Sequence, residues 1–209
     1  MIDSRLVEKI ESLKNSFTAD VVKQRISEFK KNGESSSDVI YKELCYCILT
    51  ANFNAERAIR IHRQIGDGFL TLDQGELYLK LKSLGHRFPN KAEYIVAARR
   101  YSGILKEIIE SASSEMELRE WLDKNIRGLG YKEASHFLRN IGYRNLAIID
   151  SHIVQLLKKH KMISDMKTLT RKKYLELEGL LKRIADKSHL NLAELDLFLW
   201  YLETGRILR

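Results

Sequence analysis

The sequence predicts an all-α protein, and three features carry the prediction. Apolar residues recur at three- and four-residue spacing almost throughout, the period of helices with one buried face. One proline, Pro89, and 11 glycines in 209 residues leave few breakers. The only strand-like run, Leu146 to Ile149, is too short to build a sheet.

Taken in order, the helical repeats are Leu6, Ile10, Leu13; Val22, Ile26, Phe29; Ile40, Leu44, Ile48; Ala58, Ile61, Ile65; Leu77, Leu81, Leu84; and Tyr94, Ala97, Ala98. Helices are then expected over Met116 to Ile126, Lys132 to Ile141, Ser151 to Lys159, Arg171 to Asp186 and Asn191 to Glu203, for a total of about ten. Thr18, Asn54, Asn90 and Ser113 stand where N-caps are wanted, and Gly66, Gly85 and Gly142 where helices should stop. Asn32 to Asp38, NGESSSD, reads as a polar loop. A break near Ser164 to Thr170 would separate a central helical body from a carboxy-terminal group of helices that returns to it, leaving two lobes and a cleft.

Length and composition bound the function. The chain suits one large domain or two small interlocked ones, and at this size about 70% of the unfolded chain's surface is buried, so neither disulfides nor a structural metal are needed. Thirty-six Lys+Arg against 28 Asp+Glu leave a formal +8 and a pI near 9.4, which favours polyanionic partners such as nucleic acid. Cys45 and Cys47 are the only cysteines. They exclude a disulfide framework, a four-cysteine zinc site and a four-cysteine iron-sulfur cluster, and they suit a reducing cytosol. The amino terminus, MIDSRLVEKIESLK, lacks the apolar centre of a secretory signal, and no stretch approaches the 18 or so uncharged apolar residues of a membrane span. A soluble protein is expected.

The segment from Trp121 to Lys158 holds the chemistry. It reads as helix, tight hairpin, helix, short link, helix. In the hairpin Arg127, Gly128, Leu129, Gly130, the glycines permit positive φ and close approach of a DNA phosphate to the amides that open the next helix. Leu129 would point inward to fix the turn, while Arg127 adds positive charge for the backbone. A plain helix connection would look the same. Lys132 falls on the first turn of the following helix, where the positive end of the helix dipole and desolvation both oppose the ammonium form and favour a nucleophilic amine. A surface lysine touching phosphate is the simpler alternative. Asp150 stands where it would cap the helix beginning at Ser151, an ordinary place for an aspartate. At this interval from the hairpin it would share the mouth of a cleft with Lys132.

RGLGYKEASHFLRN followed by AIIDSH resembles the helix-hairpin-helix DNA glycosylase superfamily, with the lysine that marks its bifunctional members. KELCYCILTANFNAE, LGHRF, GYKEASHFLRNIGY, LAIID and DLFLWYLETG resemble, nearly end to end, its small archaeal-type 8-oxoguanine DNA glycosylase/AP lyase family. The resemblance implies a two-lobed all-α helix-hairpin-helix glycosylase fold forming a single unit over 1–209. Within it the hairpin motif would lie at about 116–141, the helices at about 171–209 would complete the base pocket, and no iron-sulfur cluster would be present. The activity it implies is excision of oxidised guanine followed by strand cleavage through β-elimination.

By the same resemblance Lys132 corresponds to the Schiff-base nucleophile and Asp150 to the assisting carboxylate. His136, one turn beyond Lys132, and its neighbour Ser135 would border the base pocket, although a helical histidine is also a common structural residue. Asp196 and Trp200, spaced i, i+4, would read and stack on the flipped base; a core tryptophan beside a solvated aspartate is the alternative. The terminal carboxylate of Arg209 would lie near the lesion, where members usually end in lysine, and Ser151 stands where they tend to carry a basic residue. Phe88, with Arg87 beside it, suits filling the gap left by the flipped base, or else plugging the core. No cofactor is required, though the hairpin carbonyls of the family can hold a monovalent cation. The implied setting is a cytoplasmic monomer acting on damaged double-stranded DNA, without a membrane. Two other readings are a glycosylase for another oxidised base and a non-catalytic helix-hairpin-helix DNA-binding module.

Overall fold

The computed structural model describes residues 2–166 and 168–208. In chain order the α-helices are α1 (Ser4–Lys14), α2 (Phe17–Glu34), α3 (Ser37–Thr50), α4 (Ala55–Ile65), α5 (Gly68–Thr71), α6 (Gln74–Ser83) and α7 (Asn90–Ala98). After a 3-10 turn at Arg99–Tyr101 come α8 (Leu105–Ser111), α9 (Glu115–Asn125), α10 (Tyr131–Asn140), α11 (Ser151–Lys159), α12 (Arg171–Lys187) and α13 (Leu192–Thr204). The described residues contain no strand, as the all-α expectation requires. The thirteen α-helices among the described residues exceed the expected ten or so. α5 and α8 account for the excess, being too short for their periodicity to register.

Local chemistry sets most boundaries. Asp73 and Glu76 form a reciprocal capping box at the start of α6, and Asn191 and Glu194 do so at α13. Asn54 caps α4 by accepting from Arg57 N at 3.0 Å, as expected. The other three expected caps are displaced. Thr18 lies inside α2 with its amide bonded to Ser16 Oγ at 3.2 Å, Asn90 opens α7 behind Pro89, and Ser114, not Ser113, caps α9.

The polar loop expected over Asn32 to Asp38 is mostly helix. α2 runs on through Glu34, and only Ser35 and Ser36 separate it from α3. Contacts override composition here. Asn32 Nδ2 donates to the Asn140 carbonyl at 3.1 Å, and Gly33 lies so close to Ile141 that a Cβ would sit 2.1 Å from its carbonyl oxygen.

The chain divides into two compact units, Met1–Lys30 with Gly142–Arg209, and Lys31–Ile141. Ser164 to Thr170, expected as a break between lobes, falls inside the first. The first unit is built on α13, which contacts α1, α11 and α12. Val22, Phe29, Leu197 and Phe198 form a buried cluster there, joined by Leu13, Ile26 and Leu190. Asp3 caps α1 and its Oδ2 lies 2.7 Å from His160 Nδ1. The second unit surrounds α3, which contacts α4, α5, α7, α8 and α10. From Ile40 to Thr50 every residue of α3 but Lys42 is buried, so the helix is apolar all round.

Two outcomes are expected. Gly33→Ala destabilises the protein by about 1–3 kcal/mol through overpacking against backbone, outweighing a helix-propensity gain of about 1 kcal/mol, as read by urea unfolding. The bonds from His160 and Arg5 hold the Asp3 carboxyl down at about 2, below its ordinary 3.8. A depressed folded value gives stability that is complete above about pH 4 and lost as pH falls toward 2. Asp3→Ala is therefore less stable than the parent at pH 7, and the denaturant midpoints of the two converge near pH 2.

Candidate active site

On the second unit the hairpin closes as α9 ends at Asn125. The Ile126 amide bonds to Leu122 O and the Leu129 amide to Ile126 O at 3.2 Å. Gly128 has φ +89°, and a Cβ there would meet the Tyr94 ring at 2.5 Å, so both backbone and contact demand glycine. Leu129 is buried, the inward anchor its position suggested. Gly130 is the N-cap of α10 and supplies no side chain to its first-turn amides, which leaves that end suited to an anion.

Lys132 stands on that first turn, about a quarter exposed, with Nζ 3.5 Å from Glu133 Oε1. Arg127 is already engaged. It pairs with Glu93 at 2.5 Å and lies over the Tyr94 ring at 5.2 Å, so much of its charge is compensated.

Further along α10, Ser135 is wholly buried and accepts from Arg119 Nη1 at 3.4 Å. His136 is buried edge-on to Tyr46, with ring centroids 5.7 Å apart. Both side chains face the interior of the second unit. Arg87 is exposed, with its guanidinium 5.3 Å from the centroid of the half-buried Phe88 ring. His86 beneath them is buried against Phe53 at 4.2 Å, and burial pushes its pKa down.

Lys91 belongs to the same neighbourhood, a placement that no sequence feature points to. It is buried on α7, and burial pushes its pKa down, with Glu133 opposing and Lys132 reinforcing the shift. No spacing in the sequence signals that neighbourhood.

On the first unit Asp150 is the N-cap of α11, its Oδ1 accepting from Ile153 N at 3.0 Å. Its Oδ2 takes no hydrogen bond from any described residue. The preceding run from Leu146 has no regular secondary structure and pairs with no strand among the described residues. Glu178 accepts from Ala147 N at 2.8 Å, and Tyr174 hydroxyl donates to Ala147 O at 2.7 Å while lying 3.3 Å from Ile149 N. Side chains of α12 thus satisfy a backbone that would otherwise need a sheet.

Asp196 lines a cavity of about 10 Å³ with Ile148 and Ile153, beside the segment that delivers Asp150. Trp200, one turn on, meets His152 edge-on at 5.2 Å, and its indole Nε1 is buried without a hydrogen-bond partner among the described residues. His152, two residues past Asp150, carries no signal in the sequence for this contact. Arg209 lies outside the described residues. The described residues contain no group of three or more His, Cys, Asp or Glu placed to hold a metal ion.

Comparison with known proteins covers nearly the whole chain. Residues 22–190 match the family model described as 8-oxoguanine DNA glycosylase. The chain is 55% identical over 206 residues to the 8-oxoguanine DNA glycosylase/AP lyase of Methanocaldococcus jannaschii, covering 98% of this chain and 99% of that one. It is 50% identical over 206 residues to the Korarchaeum cryptofilum protein of that name, covering 98% of each. Among solved structures, the M. jannaschii enzyme in complex with a DNA 15-mer containing 8-oxoguanine superposes with a TM-score of 0.95 at 54% identity, covering 98% of this chain and 100% of that one. A match this long, at this identity and through the hairpin, settles the family: the chain belongs to the 8-oxoguanine DNA glycosylases.

Proposed function

We propose that this chain excises 8-oxoguanine from duplex DNA as a bifunctional glycosylase/AP lyase of DNA repair, working as a cytoplasmic monomer with Lys132 as nucleophile and Asp150 as the assisting carboxylate. One observation carries the reading. A lysine stands on the first turn of the helix after a glycine hairpin, in a chain 54% identical to a protein crystallised with 8-oxoguanine DNA.

The chemistry follows from these groups. Reaching C1′ requires the nucleotide to leave the stack, at a cost of roughly a few kcal/mol. Lys132, released from Glu133 and deprotonated, attacks C1′ as the base departs. The free Oδ2 of Asp150 supplies negative charge to the sugar as positive charge develops there, or takes a proton from the amine. The C1′–O4′ bond then opens, with O4′ taking a proton, and the resulting imine acidifies C2′. Loss of that proton pushes out the 3′ phosphate and cleaves the strand. Trp200 offers a ring face to the flipped base and Asp196 an acceptor for its N1–H and amino group. Ser135 and His136, being buried, would support the wall of the pocket from behind. The terminal carboxylate at Arg209 is a further base contact in this reading.

Phe88 and Arg87 would meet the duplex at the flipping site, and the hairpin, with Gly130 opening α10, would take a backbone phosphate. No cofactor enters these steps. The carbonyls of Arg127, Gly128 and Leu129 accept no hydrogen bond from any described residue, so they fit a monovalent cation. Bound there, it would supply positive charge to a phosphate.

Lys132→Gln is expected to abolish the borohydride-trapped complex that the parent forms on an 8-oxoguanine duplex, and strand cleavage with it. Trapping by the variant, or by the parent only on oxidised pyrimidines, would overturn the assignment. Asp150→Asn keeps a competent N-cap, so the thermal midpoint holds. Single-turnover excision should nonetheless fall by about 10²- to 10⁴-fold.

A further inference from the structure

One cavity of the second unit lies apart from the residues given roles above. It encloses about 320 Å³ and is lined by Arg57, Arg60, Ile61 and Gln64 of α4 and by Leu84 and Gly85 after α6. That is the lower end of the range of about 300–1,000 Å³ for small-ligand sites and ample for a phosphodiester. Arg57 and Arg60 share a face of α4 at i, i+3 spacing, Gln64 adds an amide one turn on, and no acidic residue lines the space. Both guanidinia are exposed, and neither pairs with a carboxylate of any described residue.

Three other cations of the unit have carboxylate partners, Lys42 with Asp67, Arg127 with Glu93 and Lys132 with Glu133. Two like charges facing one cavity with no counter-charge favour an incoming anion. The rim is open, since a Cβ on Gly85 would meet nothing within 4 Å. Two residues further on stands Arg87, also without a carboxylate partner, over the Phe88 ring.

We propose that this cavity seats backbone phosphate of duplex DNA, with Arg57 and Arg60 donating to phosphate oxygens and extending the contact that begins at Arg87. The inference rests on the glycosylase reading, which supplies the duplex. Arginine suits the task because its planar fork matches two phosphate oxygens at once. The contact positions the protein on the helix and carries no base sequence.

The test is the salt dependence of duplex binding by the full chain, followed by fluorescence anisotropy. In Arg57→Gln/Arg60→Gln the slope of log affinity against log salt should fall by between about one and two, since each neutralised phosphate contributes about 0.9, and affinity at 0.1 M salt should drop more than about tenfold. Arg57→Lys/Arg60→Lys restores the slope. A parental slope and affinity in the Gln variant, while the parent binds duplex, overturn this site alone. A parent that neither binds nor excises overturns the glycosylase reading along with it. If the Gln substitutions abolish only thermal protection by inorganic phosphate and leave duplex affinity intact, the cavity takes free phosphate and the proposal fails.

Discussion

A helix sealed from solvent on every side organises the second unit. Because α3 has no outer face along most of its length, each helix around it must present an apolar stripe at a fixed angle and height. Polar groups inside that shell then have few permitted partners. Asn140, wholly buried at the end of α10, donates to Glu43 of α3 at 3.3 Å and accepts from Arg139 at 3.0 Å. Tyr41 hydroxyl donates to the Ile95 carbonyl of α7 at 2.7 Å. An orphaned member of either set would lose a hydrogen bond it cannot replace with water. These bonds fix α7 and α10 to the same core helix. The hairpin lies between them, with Gly128 pressed on Tyr94, so the aim of Lys132 is inherited from α3. The same dryness keeps Cys45 inert, its thiol pushed up to about 12 by burial.

The electrostatics around Lys132 are closely balanced. Glu133 is its direct partner, while Lys91 sits buried nearby with a lowered pKa. One carboxylate therefore answers to two lysines. Arg127, a third cation of the neighbourhood, is held by Glu93. Together with the positive end of α10, this makes a setting in which an incoming anion is welcome.

Much of this was legible in the residue pattern. Helical periodicity found every long helix, and Gly128, Leu129 and Gly130 announced the turn because its geometry admits few other residues. Asp150 was readable as a cap from its place before Ser151. What escaped depends on neighbours distant in the chain. NGESSSD looks like a loop until Asn140 and Ile141 pack on Asn32 and Gly33. Nothing in the pattern around Lys91 shows that α7 buries it near Glu133. Ser135 and His136 share a face with Lys132 on a helical wheel, but their burial against Arg119 and Tyr46 depends on neighbours distant in the chain. His152 gains meaning only from Trp200, which lies 48 positions away in the sequence.

The charge of the chain looks different once its pairs are known. A formal +8 says only that a polyanion is welcome, and isolated surface pairs contribute little to stability, about 0–1 kcal/mol each. Their larger effect is to remove cations from the set that can meet a ligand. Lys42, Arg127, Lys132 and Lys158 each lie within 4 Å of a carboxylate. On the second unit the exposed guanidinia left uncompensated include Arg57, Arg60 and Arg87, and these lie along α4 and the turn leading to Phe88. The place of Arg57, Arg60 and Arg87 around the turn that leads to the half-buried Phe88 ring suits a sequence-indifferent contact, because phosphates recur at fixed intervals along a duplex whatever the bases between them.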